Sequence, residues 1–315
     1  MTLTSEDSHA LAPYALNLSG SICALATPFH GANEALDLDA FGRLIEFQIG
    51  AGTRGLVVAG STGEGAALEP EEFFELVEFA AHAVAGRVPL LAGTGLQSTR
   101  KTIAQTRLAL RAGADIALVV APAYVRPTQE GLYRHFGEVA AHGGLPVMLY
   151  NVPTRTACDL LPETVARLHS QSGVVGIKEA RPEQERIQAL LALGSSEFSI
   201  FSGDDPSAAR SIRMGADGVI SVAANVAPAQ MQALCMLAAE GADDALTQAD
   251  KRLHDLYDLL GVEPNPIPAK WCLHRMGFGS DTLRLPLLSL AEAYHAQGGR
   301  VLAELGLEMA HSSRE

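Results

Sequence analysis

Eight short runs rich in apolar and β-branched residues recur along the chain, at 21–26, 55–59, 88–92, 116–120, 146–150, 174–178, 198–202 and 218–221. Longer stretches of helical length lie between them, for example 71–85, 99–112, 129–142 and 183–193. A strand buried on both faces reads as a continuous apolar run, and its alternation with crossover helices specifies a parallel sheet. Several of the helical stretches close in the same way. Ala51-Gly52, Ala112-Gly113-Ala114-Asp115 and Met214-Gly215-Ala216-Asp217 each set a glycine just ahead of the next strand, where a left-handed helix terminus accepts it at little cost. Eight such units over residues 21–241 match a closed (β/α)8 TIM barrel, whose usual size is roughly 250 residues. An open doubly wound sheet is the competing arrangement. Against it, no strand leads into GxGxxG or GxxxxGKS/T, and the run from Gly60 to Gly65 has the wrong glycine spacing for both. After residue 242 the alternation stops, and the chain reads as helices broken by Glu263-Pro264-Asn265-Pro266-Ile267-Pro268, a stiff turn segment. The expected organisation is an α/β chain with an N-terminal extension (1–20), the barrel (21–241) and an appended C-terminal helical region (242–315).

Composition narrows the function classes. The 315 residues are 48% hydrophobic and 19% charged, enough apolar matter for a large core and wrong for a disordered chain. A net charge of -13 leaves no basic face for phosphate backbones, so no nucleic-acid partner is expected. The first 20 residues hold no Lys or Arg, and no apolar run reaches the roughly 18 to 20 residues of a membrane span, so neither a leader nor a membrane helix is expected. Cys23, Cys158, Cys235 and Cys272 form no CxxC pair and read as packing residues in a reducing cytoplasm. The ten histidines contain no HExxH, and Cys272 with His274 lacks a second ligand pair, so no metal site is expected.

In a TIM barrel the reactive groups sit at the C-terminal ends of the strands. There the second strand ends at Ser61 and Thr62, the fourth leads to Tyr124, the fifth ends at Tyr150 with Arg155 close behind, and the sixth ends at Lys178. Lys178 is the most informative of these. The chain has four lysines, and this one alone closes an apolar strand, whereas Lys101, Lys251 and Lys270 fall at helical or turn positions. At its ordinary pKa of about 10.4 only about one lysine in several thousand is neutral at pH 7. Desolvation among barrel side chains favours the neutral amine, a nucleophile toward carbonyl carbon. The plainer alternative is a buried ion pair with Glu179, but side chains alternate along a strand and point that carboxylate the other way. Tyr150, one strand over, is placed for proton transfer or is an ordinary core tyrosine. Arg155, in a proline-containing turn, offers a fork of donors to a carboxylate or is a surface loop arginine. Gly60-Ser61-Thr62-Gly63-Glu64 offers hydroxyls and backbone N–H groups to an anion, or is merely a tight turn.

Taken together, the Gly-x-Thr-Gly-Glu turn at Gly60, Tyr150-Asn151-Val152-Pro153 and Gly176-Ile177-Lys178-Glu179 resemble the pyruvate-dependent aldolase family of dihydrodipicolinate synthase and N-acetylneuraminate lyase. Ser202-Gly203-Asp204-Asp205, Gly218-Val219-Ile220-Ser221 and the Glu263–Pro268 segment extend the likeness over nearly everything after residue 20. Arg126-Pro127-Thr128-Gln129-Glu130-Gly131-Leu132-Tyr133 and Asn151-Val152-Pro153-Thr154-Arg155-Thr156 point to the synthase branch. The resemblance implies that Lys178 forms an imine with pyruvate, that Tyr150 assists proton transfer, and that Thr62 with nearby N–H groups holds the pyruvate carboxylate. It also implies that Arg155 takes the carboxylate of L-aspartate 4-semialdehyde and that Gly203 and Ile220 belong to the substrate site. Ser61 stands where the relay hydroxyl is usually Thr, and Tyr124 would complete the relay from a neighbouring subunit, which implies a homotetramer built as a dimer of dimers. The covalent imine would serve without a cofactor, in a cytoplasmic step toward diaminopimelate and lysine.

At the positions of the family's lysine feedback site stand Gly65, Pro70, Phe73, Gln97, Lys101 and Ala123. The polar groups for lysine's amines are largely gone and Lys101 is itself a cation, so weak or absent lysine inhibition is expected. Ala123 and Val125, beside Tyr124, replace residues that are often Tyr and Asn in the synthase. They keep open a relative acting on another aldehyde, such as a 2-keto-3-deoxy sugar acid or an aromatic aldehyde. A barrel that binds ligand without catalysis is the rival of another class, and Lys178, Tyr150, Ser61 and Tyr124 together argue against it.

Overall fold

The structure, a computed structural model, describes residues 18–307. The expected N-terminal extension therefore lies outside the described residues as far as residue 17. Eight parallel strands close into a barrel: Gly20–Ala24, Gly55–Val58, Leu90–Gly93, Ile116–Val120, Val147–Asn151, Val174–Glu179, Ser199–Ser202 and Gly218–Ser221. The first strand shuts the ring between the eighth and the second, with Gly20 opposite Gly218 and Ile22 opposite Gly55. Gly218 is required there, because a Cβ would sit 2.0 Å from the Gly20 carbonyl oxygen. The predicted strands coincide with these, with small shifts at their ends.

The helices alternate with the strands, and several carry the punctuation that the sequence shows. Gly52, Gly113 and Gly215 all adopt positive φ ahead of a strand. Pro70 opens the helix Pro70–Val84, and Glu69 and Glu72 close a capping box around its first turn. Between the first strand and its helix Leu38–Gly50 lies a small antiparallel hairpin, Phe29–His30 with Ala35–Leu36, which the sequence reading did not anticipate.

Side chains that point inward fill the barrel with Ile22, Val57, Leu91, Ile116, Leu118, Met148, Phe201 and Ile220, and a larger apolar shell lies between strands and helices. The inner cluster closes the barrel below its C-terminal mouth, so chemistry is confined to that mouth. Among the described residues no helix is long and apolar enough to cross a membrane.

The C-terminal region, expected as an appendage, is part of the mouth. After the helix Asp243–Gly261 the chain passes through Pro264, Asn265 and Pro266 beside the Ser61–Thr62 turn and then enters the helix Ile267–Arg275. That helix brings a second lysine into the interior. Lys270 is only 2% exposed, and its Nζ donates to Glu64 Oε1 at 2.6 Å. Its sequence position showed a helical lysine and gave no sign of this burial.

Candidate active site

The fifth and sixth strands set the centre. Their register shifts after Val147 opposite Val174, so that Met148 faces Gly176 and Tyr150 comes directly opposite Lys178. Gly176 makes the close approach possible, since a Cβ would lie 2.4 Å from the Ser199 carbonyl oxygen on the seventh strand. Lys178 is 5% exposed and its Nζ stands 4.4 Å from the centroid of the Tyr150 ring. Gly203, at the end of the seventh strand, lies against the lysine stem, and a Cβ there would be 3.0 Å from its Cγ and Cε. A larger residue there would crowd the stem that carries the amine.

Glu179 is not the partner of Lys178. Its carboxylate faces the other side of the strand, where it accepts from Arg186 Nε at 2.7 Å, from Asn151 Nδ2 at 3.0 Å and from the Arg181 backbone N–H at 2.9 Å. Among the described residues no carboxylate forms an ion pair with Lys178. The charge of Lys178 also acts on Asp205. Burial pushes its carboxyl above the usual carboxylate range, while the Ser221 hydroxyl, the Ala223 and Val222 N–H groups and Lys178 oppose this.

Ser61, Thr62, Tyr150, Arg155, Lys178 and Gly203 line one cavity of about 200 Å³. Six of the eight predicted residues are thus brought together. Ile220 is packed in the inner cluster below the cavity, and on that strand end Val222 forms the wall instead. Tyr124 is 90% exposed at a φ of 71°, and its side chain does not line the cavity of its own chain.

Asn265 is the residue that sequence reasoning missed. The segment containing it reads in the sequence as a stiff turn and as part of the family likeness, with no role for Asn265, yet its Nδ2 donates to Thr62 Oγ1 at 3.0 Å and its backbone carbonyl accepts from Arg155 Nη2 at 3.1 Å. A second cavity of about 480 Å³ shares Ser61, Tyr150, Arg155 and Asn265 with the first and extends to Gly65, Gln97 and Ala123. Of the other positions compared with the feedback site, Phe73 is buried in the apolar shell and Lys101 is exposed on a helix.

Comparison with known proteins agrees with this geometry. Residues 17–305 match the model of the dihydrodipicolinate synthetase family. The chain belongs to that family. It is 57% identical over 300 residues to the 4-hydroxy-tetrahydrodipicolinate synthase of Xanthomonas axonopodis pv. citri, covering 95% of this chain and 99% of that protein. The protein of the same description from Stenotrophomonas maltophilia K279a is 53% identical over 298 residues, 95% of this chain and all of that one. Among solved structures, the chloride-inhibited dihydrodipicolinate synthase of Acinetobacter baumannii complexed with pyruvate superposes with a TM-score of 0.89 at 39% identity, over 92% of this chain and 99% of that one. A monomeric dihydrodipicolinate synthase variant gives 0.90 at 39% identity, over 94% and 99%.

The family turn at Glu64 is held from below. Lys270 and Glu64 are each 2% exposed in their side chains, the Arg284 backbone N–H donates to Glu64 Oε2 at 3.0 Å, and Lys270 Nζ lies 4.2 Å from the Phe29 ring centroid. Burial pulls the Lys270 ammonium below its ordinary range, and Glu64 opposes that pull. Glu64→Gln would leave a buried ammonium without its counter-charge, for an expected loss of about 3–5 kcal/mol in urea unfolding. The double variant Glu64→Gln/Lys270→Met should recover most of it. Equal stability of Glu64→Gln and the native chain would show that the pair does not hold the turn.

Proposed function

We propose that this chain is a Schiff-base lyase that condenses pyruvate with L-aspartate 4-semialdehyde to give 4-hydroxy-tetrahydrodipicolinate, a step toward diaminopimelate and lysine. The observation that carries this reading is a buried Lys178, free of any carboxylate partner among the described residues, in one cavity with Tyr150, Thr62 and Arg155. A lysine kept only for structure would be paired, as Lys270 is.

The residues divide the work. Lys178 attacks C2 of pyruvate, and loss of water gives the imine. Loss of a C3 proton then leaves an enamine, with Tyr150 as the nearest hydroxyl-bearing ring to move protons at the nitrogen. The enamine carbon adds to the aldehyde and the new oxygen takes up a proton. Finally the amine of the semialdehyde portion attacks the imine carbon, closing the ring and releasing Lys178. Thr62 and the neighbouring N–H groups receive the pyruvate carboxylate, and Arg155 receives that of the semialdehyde. Gly203 sets the lysine stem in place, and Ile220 supports the floor of the site from the inner cluster. The imine is the electron sink, so this sequence draws on no metal or organic cofactor.

Ser61 lines the cavity and is the relay hydroxyl in this reading, while Tyr124 belongs to a neighbouring copy. In support, Tyr124 faces solvent beside Val125 (52% exposed), and Leu285 and Leu288 are 74% and 67% exposed. These are apolar surfaces of the kind an interface covers. A homotetramer arranged as a dimer of dimers satisfies this requirement. The four cysteines, buried and free, suit the cytoplasm, where the reaction is placed.

Borohydride reduction in the presence of pyruvate should attach a three-carbon adduct to Lys178, and adding the semialdehyde before the reductant should diminish it. Labelling at another residue, or none, would end this reading. Mixing Tyr124→Phe with Lys178→Ala subunits should restore activity through sites that combine the intact lysine of one copy with the intact tyrosine of the other. Failure to complement in verified mixed oligomers would place Tyr124 outside the relay. Because the positions compared with the feedback site lack groups for lysine's amines, millimolar lysine should leave the rate unchanged, and a halved rate would contradict this.

A further inference from the structure

The site holds one buried polar atom that the mechanism above does not use. Asn265 Oδ1 is buried and accepts a hydrogen bond from no group among the described residues. Leaving an acceptor buried and unpaired is costly, and at a ligand site that cost is relieved by a donor on the ligand. The side chain lines the cavity of Lys178, Thr62 and Arg155.

Its orientation follows from the proton count at Thr62. A threonine hydroxyl has one proton to give. If that proton goes to the pyruvate carboxylate, the Thr62 oxygen is the acceptor toward Asn265, in agreement with the 3.0 Å contact from Nδ2. The amide oxygen is then left without a donor, on a residue that lines the cavity. Pyruvate carries no donor for it. L-Aspartate 4-semialdehyde carries an α-ammonium on the carbon next to its carboxylate, and that carboxylate is assigned to Arg155, whose Nη2 is bonded to the Asn265 carbonyl at 3.1 Å. The group that binds the carboxylate is therefore fastened to the residue holding the free acceptor, one carbon away from the ammonium.

We propose that Asn265 is the specificity-determining residue for the α-amino group of the second substrate: its Oδ1 accepts from the ammonium while its Nδ2 holds Thr62. This rests on the reaction proposed above and deepens it. Asp204 is the carboxylate in the cavity wall; its Oδ2 accepts from the Ser207 backbone N–H at 3.1 Å and from the Ser207 hydroxyl at 2.5 Å, capping the turn that follows the seventh strand, which leaves its Oδ1 as the competing acceptor. Before ring closure the amine must lose its proton to become a nucleophile, and a neutral amide acceptor orients it without stabilising the charged form as strongly as a carboxylate would.

The test compares L-aspartate 4-semialdehyde with succinic semialdehyde, which has the same aldehyde and carboxylate and lacks the amine. For Asn265→Ala, the KM for aspartate semialdehyde should rise about 10-fold to 100-fold, the range for a hydrogen bond to a charged group, while the inhibition constant of succinic semialdehyde moves less than about threefold. Asn265→Asp keeps an acceptor and loses the amide donor, so it should raise the KM for pyruvate and preserve the preference for the aminated aldehyde. A parallel rise for both aldehydes in Asn265→Ala would overturn the proposal and leave the Asn265 side chain acting only through Thr62. Selective loss in Asp204→Asn with none in Asn265→Ala would overturn it in favour of Asp204. Borohydride trapping of pyruvate on Lys178 separates the two levels. Trapping in Asn265→Ala without the selective change refutes this role and leaves the lyase reading standing, whereas absence of trapping in the native enzyme refutes the lyase reading itself.

Discussion

The 2.6 Å contact between Glu64 and Lys270 joins positions 206 residues apart and fastens the C-terminal region to the mouth of the barrel. A carboxylate and an ammonium removed from water attract each other strongly only while both are present, and the loss of either leaves an unpaired buried charge. The pair therefore fixes distance and direction between two backbones. On one side is the turn carrying Ser61 and Thr62, and on the other the segment carrying Asn265. With that fastening in place, the Asn265 amide reaches Thr62 and its carbonyl reaches Arg155, so three chain segments meet around the cavity of Lys178.

The two buried lysines show how position decides the use of the same side chain. Lys270 is answered by Glu64 and by the face of Phe29, and its charge is spent on holding structure. Lys178 has the Tyr150 ring beside it and no ion-pair partner among the described residues, while the adjacent Glu179 is occupied by Arg186 on the opposite face of the strand. Strand alternation produces that separation at no additional cost: neighbours in sequence point to opposite sides, so the anion is used to anchor the outer shell and the cation is left to the cavity.

Much of this was legible in the sequence because it is local. The strands follow from apolar runs, the helix ends from Gly52, Gly113 and Gly215, and the prominence of Lys178 from a charged residue closing an otherwise apolar strand. Asn265 was not legible as a site residue, because a proline-flanked asparagine reads as a turn until the fold shows what the turn abuts. Lys270 was hidden for the same reason: its helix offers no local signal that Glu64 waits in the interior. The hairpin at Phe29 and Leu36 has strands of two residues each, too short to leave a period. Tyr124 presents the reverse case, since its role was suggested by resemblance while the single chain displays only its exposure.

The distribution of these residues also bears on how specificity can change while the reaction is kept. Lys178 and Tyr150 stand on neighbouring strands paired through Gly176, where a Cβ would meet the backbone of the seventh strand, and the ring those strands belong to closes through a similar approach at Gly218. Their geometry is consequently tied to barrel closure, and a substitution that shifted it would disturb the core. Arg155 and Asn265 stand outside the strands, on a short helix and a turn, and Tyr124 is on an exposed loop. Under the proposed reaction, these are the positions at which the preference for the aldehyde can change without repacking the barrel. Arg155 and Asn265 are joined by one hydrogen bond, in which the Arg155 guanidinium donates to the backbone carbonyl of Asn265 and is thereby held against the turn. Because that acceptor is a backbone carbonyl, which every residue at 265 carries, the side chain there can change while the guanidinium keeps its anchor, so the two positions can vary separately.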